Sequence, residues 1–253
     1  MKQNKHVLPL MSAALMVSSI SSAFAAETVY EALATGTASG NVNLRYEAVS
    51  QDNTLQDASA LTLRTRIGYQ TADLSGWSVG VEFEDSRIVM GQGDYTVGPT
   101  GYNLGEYSVI ADPETTELDQ AFVQYKNENL TLKVGRQVIA LDGQRFVGHV
   151  GWRQDRQTFD GATVIYQAND KLKFHYSYLN QRNRIFAEVA DLDSKDHLLN
   201  VNYKTSLGAL TAYSYLLEVD NTTTNSLDTY GFSFKGANKP STKGDLSYSY
   251  MFD

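Results

Sequence analysis

The sequence contains no cysteine, only four prolines and two tryptophans, and no basic excess: its formal net charge is −8. Without cysteine there can be no disulfide framework, no thiolate metal site and no thiol nucleophile. The acidic balance argues against general nucleic-acid binding. Beyond the N-terminal segment, no apolar run approaches the roughly 20 residues of a spanning helix. Catalytic signatures are missing as well: there is no Gly-x-Ser-x-Gly elbow and no phosphate-cradling glycine loop. His149, His175 and His197 are too widely spaced to form a metal-ligand pattern. Asp191, Asp193 and Asp196 form a short acidic cluster, but no loop has the ordered ligand spacing of a calcium hand, so a solvated outer loop is expected there. These readings imply no enzyme, no metal and no cofactor. A chain of this kind must be held together by burial or by a closed hydrogen-bonded network.

The first residues read as an export leader. Lys2 and Lys5 supply positive charge, Val7 to Ile20 is a short apolar run, and Ala23-Phe24-Ala25 fits the small-x-small cleavage pattern. The expected division is a cleavable signal peptide over residues 1–25, followed by one β-barrel domain over 26–253.

After Gly40 the dominant period is two. Val42, Leu44 and Tyr46 alternate with Asn43, Arg45 and Glu47. Leu61, Leu63, Ile67 and Tyr69 alternate with Thr62, Arg64, Arg66 and Gly68. The same pattern recurs along the chain to Tyr248, Tyr250 and Phe252, predicting about eleven strands with one apolar and one polar face. Each is near the roughly 9–11 residues that a tilted strand needs to cross a bilayer.

Connection lengths alternate too. Short turns are expected around residues 72–75, 127–128, 169–170 and 206–207, and long loops at 50–60, 85–116, 138–157, 181–195 and 219–227. Short turns at one end and long loops at the other are the habit of outer-membrane barrels. The predicted fold is therefore an all-β, transmembrane, antiparallel up-and-down barrel. Its apolar side chains would face outer-membrane lipid and lipopolysaccharide, and its charges would line a wet interior. A soluble periplasmic carbohydrate-binding sandwich with its apolar face inward stays open, because alternation alone cannot tell inside from outside. A barrel hydrolase stays open as a lesser alternative. Bacterial single-chain barrels have even strand counts, so eleven implies either a miscount by one or, preferably, a piece of a larger barrel.

One stretch breaks the alternation. Val134 to Gly161 gathers Arg136, Arg145, Arg153, Arg156, Trp152, His149 and five glycines, and it predicts a structured loop over 138–157 between two strands. Within it, Gly135-Arg136-Gln137, Leu141 to Gly148, Gly151-Trp152-Arg153-Gln154 and Thr158-Phe159-Asp160-Gly161 resemble the alginate-export family of outer-membrane porins. The preceding Leu118 to Val123 also resembles that family, so the likeness is specific over about residues 118–165. The resemblance implies a single-chain, many-stranded porin in the outer membrane that passes small anionic solutes or acidic oligosaccharides by passive diffusion. Arginine forks suit carboxylates, and rings of Arg and Lys select anions. The expected lining is Arg136, Arg145, Arg153 and Arg156 at the constriction, with Arg64, Arg66, Lys133, Lys171 and Lys173 on the wall. Asp142, Trp152, Asp155 and Asp160 are expected to brace the loop, the aspartates by pairing with its arginines. Glu82 and Glu84 share a face and are expected to balance Arg64 and Arg66. The sequence leaves the oligomeric state open.

Overall fold

The computed structural model describes residues 11–18, 25–98, 103–220, 224–237 and 249–252, with side chains from Ala25 onward. Among these residues there is one sheet. It runs in chain order through β1 (Met11–Ser18), β2 (Thr37–Val49), β3 (Ala58–Gln70), β4 (Trp77–Asp94), β5 (Thr115–Lys126) and β6 (Leu130–Gln137). It continues through β7 (Thr158–Gln167), β8 (Leu172–Asn183), β9 (Leu192–Lys204), β10 (Ala209–Asp220), β11 (Thr224–Ala237) and β12 (Ser249–Phe252). Every described neighbour pair is antiparallel, from Met11↔Tyr46 to Phe234↔Phe252. This is the up-and-down order that the alternating pattern predicted. The eleven expected strands are β2 to β12, and β1 comes from inside the expected leader. β1 pairs with β2, and the sheet is not closed by a pairing between β1 and β12.

Which face is buried tells what solvent the sheet is built for. On β3 the buried residues include Thr62, Arg64 and Arg66 beside the small Ala58 and Ala60, while Ile67 is 65% exposed. On β4, Ser78, Glu84 and Ser86 are buried, and Trp77, Val79, Val81 and Phe83 stand outside. A sandwich in water would do the reverse, because burying charge and exposing apolar surface both cost free energy. Here the polar face is the inside, so the soluble sandwich is set aside.

Several expected loops shrink because the ladders run on. The expected loop 219–227 is largely strand: pairing continues through Val219↔Asn225 and Asp220↔Thr224, and only 221–223 lie outside the described residues. The expected loop 85–116 contracts to 95–114, since β4 reaches Asp94 and β5 begins at Thr115. Likewise 181–195 contracts to 184–191. These extensions are mostly polar, and the apolar residues they hold, such as the run Ile88 to Met90, do not alternate, so they lack the pattern that marks strands in a sequence; their hydrogen bonds come from the neighbouring strand instead. The expected loop 138–157 keeps its bounds between β6 and β7.

A short helix, α1 (Val29–Ala34), sits at the short-turn end, where Thr28 caps it and accepts from Glu31 N at 3.1 Å. It is tied to the turn after β3 by the Ala72 amide donating to Ala32 O at 3.0 Å.

The inside-out arrangement generates a directional test. Val81 faces outward midway along the part of β4 that pairs with β5, Trp77 to Ser86, so Val81→Arg should cost about 2–4 kcal/mol of folding free energy in bilayers, the range for a midplane arginine on a lipid face. Urea titration in vesicles measures it. An unchanged midpoint would mean that this face does not meet lipid.

Candidate functional site

The loop 138–157 folds onto the polar face and is built as a closed unit. It opens with a 3-10 turn at Asp142–Gln144, where Gly143 takes a left-handed φ of 75°. Its tip is pinched shut by Gln157 N donating to His149 O at 2.9 Å and Gln157 Nε2 donating to Gly148 O at 2.9 Å. Val150 sits inside the tip at φ 49°, a strained position for a β-branched residue. The Arg153 amide, donating to Val150 O at 3.0 Å, helps hold it there.

One half of the loop meets a polar wall. Arg45 on β2 donates to the Trp152 carbonyl, Arg64 on β3 reaches the Arg153 and Gln154 carbonyls at 3.4 Å each, and Arg66 reaches the Gln154 carbonyl at 3.3 Å. Gln154 is fully buried among them. Its side-chain amide donates to Thr62 Oγ1 at 2.8 Å and to the Thr62 carbonyl at 3.1 Å. Its own backbone amide donates to Asp112 Oδ1 at 3.0 Å, so the loop 95–114 is locked in as well.

The other half meets an apolar wall. Ile139 and Val147 pack with Phe159, Leu179, Leu198 and Tyr215, which belong to β7 to β10. Asp142 anchors this side, accepting from Asn200 Nδ2 at 2.7 Å and from the Tyr215 hydroxyl. The loop thus touches β2 through Trp152 and β10 through Asp142. Those strands lie eight positions apart, about 38 Å across a flat sheet at ~4.8 Å per strand. Ten residues coiled into tight turns do not bridge that distance, so the sheet is curled round the loop.

The arginines are almost all paired. Arg153 donates to Glu47 at 2.8 Å and stacks on the Trp152 ring at 4.1 Å. Arg156 is shared between Asp119 and Glu82, both at 2.5 Å. Arg136 forms a two-pronged pair with Asp160 across β6 and β7, at 2.8 and 3.0 Å. Arg66 pairs with Glu84, and Arg45 with Glu47 at 2.6 Å. Arg64 has no carboxylate partner among the described residues; it donates to Asn41 and to the loop carbonyls.

The expected site residues therefore separate. Arg45, Arg64, Arg66, Arg153 and Arg156 gather at the loop tip, and Arg136 lies at the end of β6 that leads into the loop. Arg145 is exposed on the opposite limb, with its guanidinium 5.4 Å from the Phe146 ring. Lys133 is on the wall, its Nζ 4.0 Å above the Phe122 ring. Lys173 is on β8, but Lys171 lies in the turn before it, not in a strand. Glu84 balances Arg66 as expected, whereas Glu82 balances Arg156 in place of Arg64. Of the bracing aspartates only Asp160 pairs with an arginine; Asp142 braces through Tyr215 and Asn200, and Asp155 through the Ala187 amide at 3.3 Å. Burial, followed by the charges of Glu117 and Glu84, pushes the Asp155 carboxyl up to about 9. The residues that sequence reasoning missed are Arg45, Glu47 and Gln154, together with Asp112; Arg45 and Glu47 were legible as charges on the polar face, but their link to the loop crosses more than a hundred residues. No group of three His, Asp or Glu able to hold a metal occurs among the described residues.

A one-sheet, inside-out β-protein with a loop packed on its polar face belongs to the class of transmembrane barrels. The family model for alginate export matches residues 30–251, most of the chain, and the chain belongs to that family. It is a family of outer-membrane transport porins. No curated protein and no solved structure matches the chain.

Two tests follow from the packing of the loop. Replacing Gln154 with Ala strips the tip of its bonds to Thr62 and Asn43, at a cost of about 1–3 kcal/mol. Trypsin should then cut after Arg153 or Arg156, and a loop that stays resistant would show that the carbonyl contacts suffice. The second test is of pH. Unfolded, Asp155 loses its proton near the ordinary 3.8; folded, it keeps it to about 9. Between those values the folded state binds more protons, so this residue makes stability fall as pH rises. Asp155→Asn removes the effect. Its urea midpoint should gain on the unaltered chain progressively from about pH 4 to about pH 9. A gap independent of pH would contradict this.

Proposed function

We propose that the chain is an outer-membrane porin giving passive diffusion to anionic solutes, acidic oligosaccharides among them, past a constriction formed by the loop 138–157. The observation that carries this reading is the loop's position: it lies on the polar face and contacts strands from β2 to β10, so a solute moving along that face must pass it. Charge on the same face supports the preference for anions. Arg153 and Arg156 stand at the tip, and Lys133 and Lys173 carry no ion pair among the described residues. Forked guanidinium donors suit carboxylates, and an uncompensated lysine contributes net field. Since most tip arginines are already matched by carboxylates, they shape the opening, and the lysines supply more of the net charge.

In this reading residues 1–25 are an export leader removed after Ala25, and the long loops face outward. Removal would free the edge of β2 that β1 now covers. An unpaired edge is not tolerated in lipid, so another strand must take that place.

Planar-bilayer recordings under a salt gradient test the proposal. The unaltered chain should give stable conductance steps with an anion-favouring reversal potential. Replacing Arg145 and Arg153 with Ala should lower that preference, and Lys133→Gln should lower it further. Reversal potentials unmoved by all of these substitutions would overturn the charge assignment, and absence of steps would overturn the pore.

A further inference from the structure

The apolar wall of the inner face carries a feature that a passage for hydrophilic acids does not need. Between the loop's first limb and the inner faces of β7 to β10 lies a partly enclosed cavity of about 270 Å³. Its walls are Phe146 and Val147 from the loop and Phe159, Leu179, Leu198 and Leu217 from successive strands. These residues stand on the face that elsewhere presents Arg, Glu, Thr and Ser. A uronic acid brings a hydroxyl at most ring carbons, and each would lose its water against these walls at a cost of about 1–3 kcal/mol.

Two arginines line the same cavity, and they are not equivalent. Arg182 is spent: both forks of its guanidinium hold Asp196, at 2.7 and 2.6 Å. Arg184 is half-buried and makes no ion pair among the described residues. Its backbone amide, not its guanidinium, engages Asp191, at 2.7 Å, and its guanidinium carbon lies 5.7 Å from the Phe186 ring. The cavity therefore combines aromatic and aliphatic walls with one cation whose forked donors make no ion pair among the described residues.

We propose that this cavity binds a small organic acid with an apolar body, an aryl carboxylate being the simplest case. The ring would lie against Phe146, Phe159 and the leucines, and the carboxylate would take the Arg184 fork. Size agrees, because a dry cavity of about 150 Å³ is enough to hold benzene, leaving room here for a short carboxylate arm. The arginine-rich part and this cavity are separate regions of the same inner face. The inference does not rest on the pore reading, since saturable binding can be read without any current.

The test is calorimetric titration of the purified full chain in detergent micelles, against an empty-micelle blank. Three probes are compared: phenylacetate, glucuronate as a hydrophilic acid, and benzyl alcohol as an uncharged aryl body. Phenylacetate should saturate, with the other two at least about tenfold weaker, the size of one lost charge-assisted contact. Arg184→Gln should weaken phenylacetate about tenfold, and Leu217→Phe should weaken it by filling the space while leaving the charge in place. Heat-modifiable migration reports whether each variant has folded, and the ranking of the three probes on the unaltered chain needs no variant. No saturable phenylacetate binding, glucuronate binding as tightly, or a folded Arg184→Gln variant that binds like the unaltered chain would each overturn the assignment.

Discussion

The structure depends on where the guanidinium protons of β2 and β3 go. Arg45, Arg64 and Arg66 stand on the inner face, cut off from bulk water, and a buried guanidinium without partners is among the costliest groups a protein can carry. The backbone carbonyls of residues 152–154 answer that demand, one after another. Carbonyls left over at a tight turn face the reverse problem, an acceptor with no donor. The wall therefore needs the loop as much as the loop needs the wall. The Arg64 and Arg66 contacts are long, at 3.3–3.4 Å, but together with the Arg45 bond they seat the buried Gln154 against the wall while the Trp152 ring stays exposed.

That reciprocity extends to the other long loops. Asp112 from the loop 95–114 receives the Gln154 amide and faces Arg45 at 3.3 Å, and Ala187 from the loop 184–191 donates to Asp155. Three segments far apart in sequence are thus joined through four consecutive residues of one tip. Behind them, Tyr95, Val97 and Ile110 form a second apolar cluster with Ala58 and Ala60 at the strand ends, and Phe186 packs against it. Loops tied to one another in this way move together or not at all, which suits an element that sets the width of a passage.

Much of this was legible in the sequence, because a period of two needs only neighbouring residues to be seen. The strands β2 to β12, the division of each into an apolar and a polar face, and the bounds of the loop 138–157 follow from local alternation and its interruption; which face is the inside is settled only by burial. What escaped depends on curvature. The pairings Arg45 with Trp152 and Arg153 with Glu47 exist because a curled sheet brings the loop tip over β2, and no local pattern encodes that approach. The apolar inner wall lies between these cases. Leu179 follows His175 and Ser177 in the polar register of β8, so its parity alone marks it as an apolar residue facing inward. It was visible as an exception to the pattern, but its meaning required the leucines of neighbouring strands.

The same arithmetic bears on what an arginine cluster can do. Bracing and attraction draw on the same few protons. An arginine that holds Glu82 and Asp119 has its charge cancelled within hydrogen-bond distance, and what remains is a short-ranged dipolar field. Net charge reaches further, about 8 Å at physiological salt, and groups such as Lys133, which rests over the Phe122 ring and makes no ion pair among the described residues, can supply it. A loop whose arginines were all free would attract anions strongly, but nothing would keep it in place. A loop whose arginines are all paired stays in place and attracts little. In the proposed reading the two tasks are divided: paired arginines fix the shape of the opening, and the cations without an ion pair among the described residues, on the wall and at the apolar cavity, are left to meet the solute.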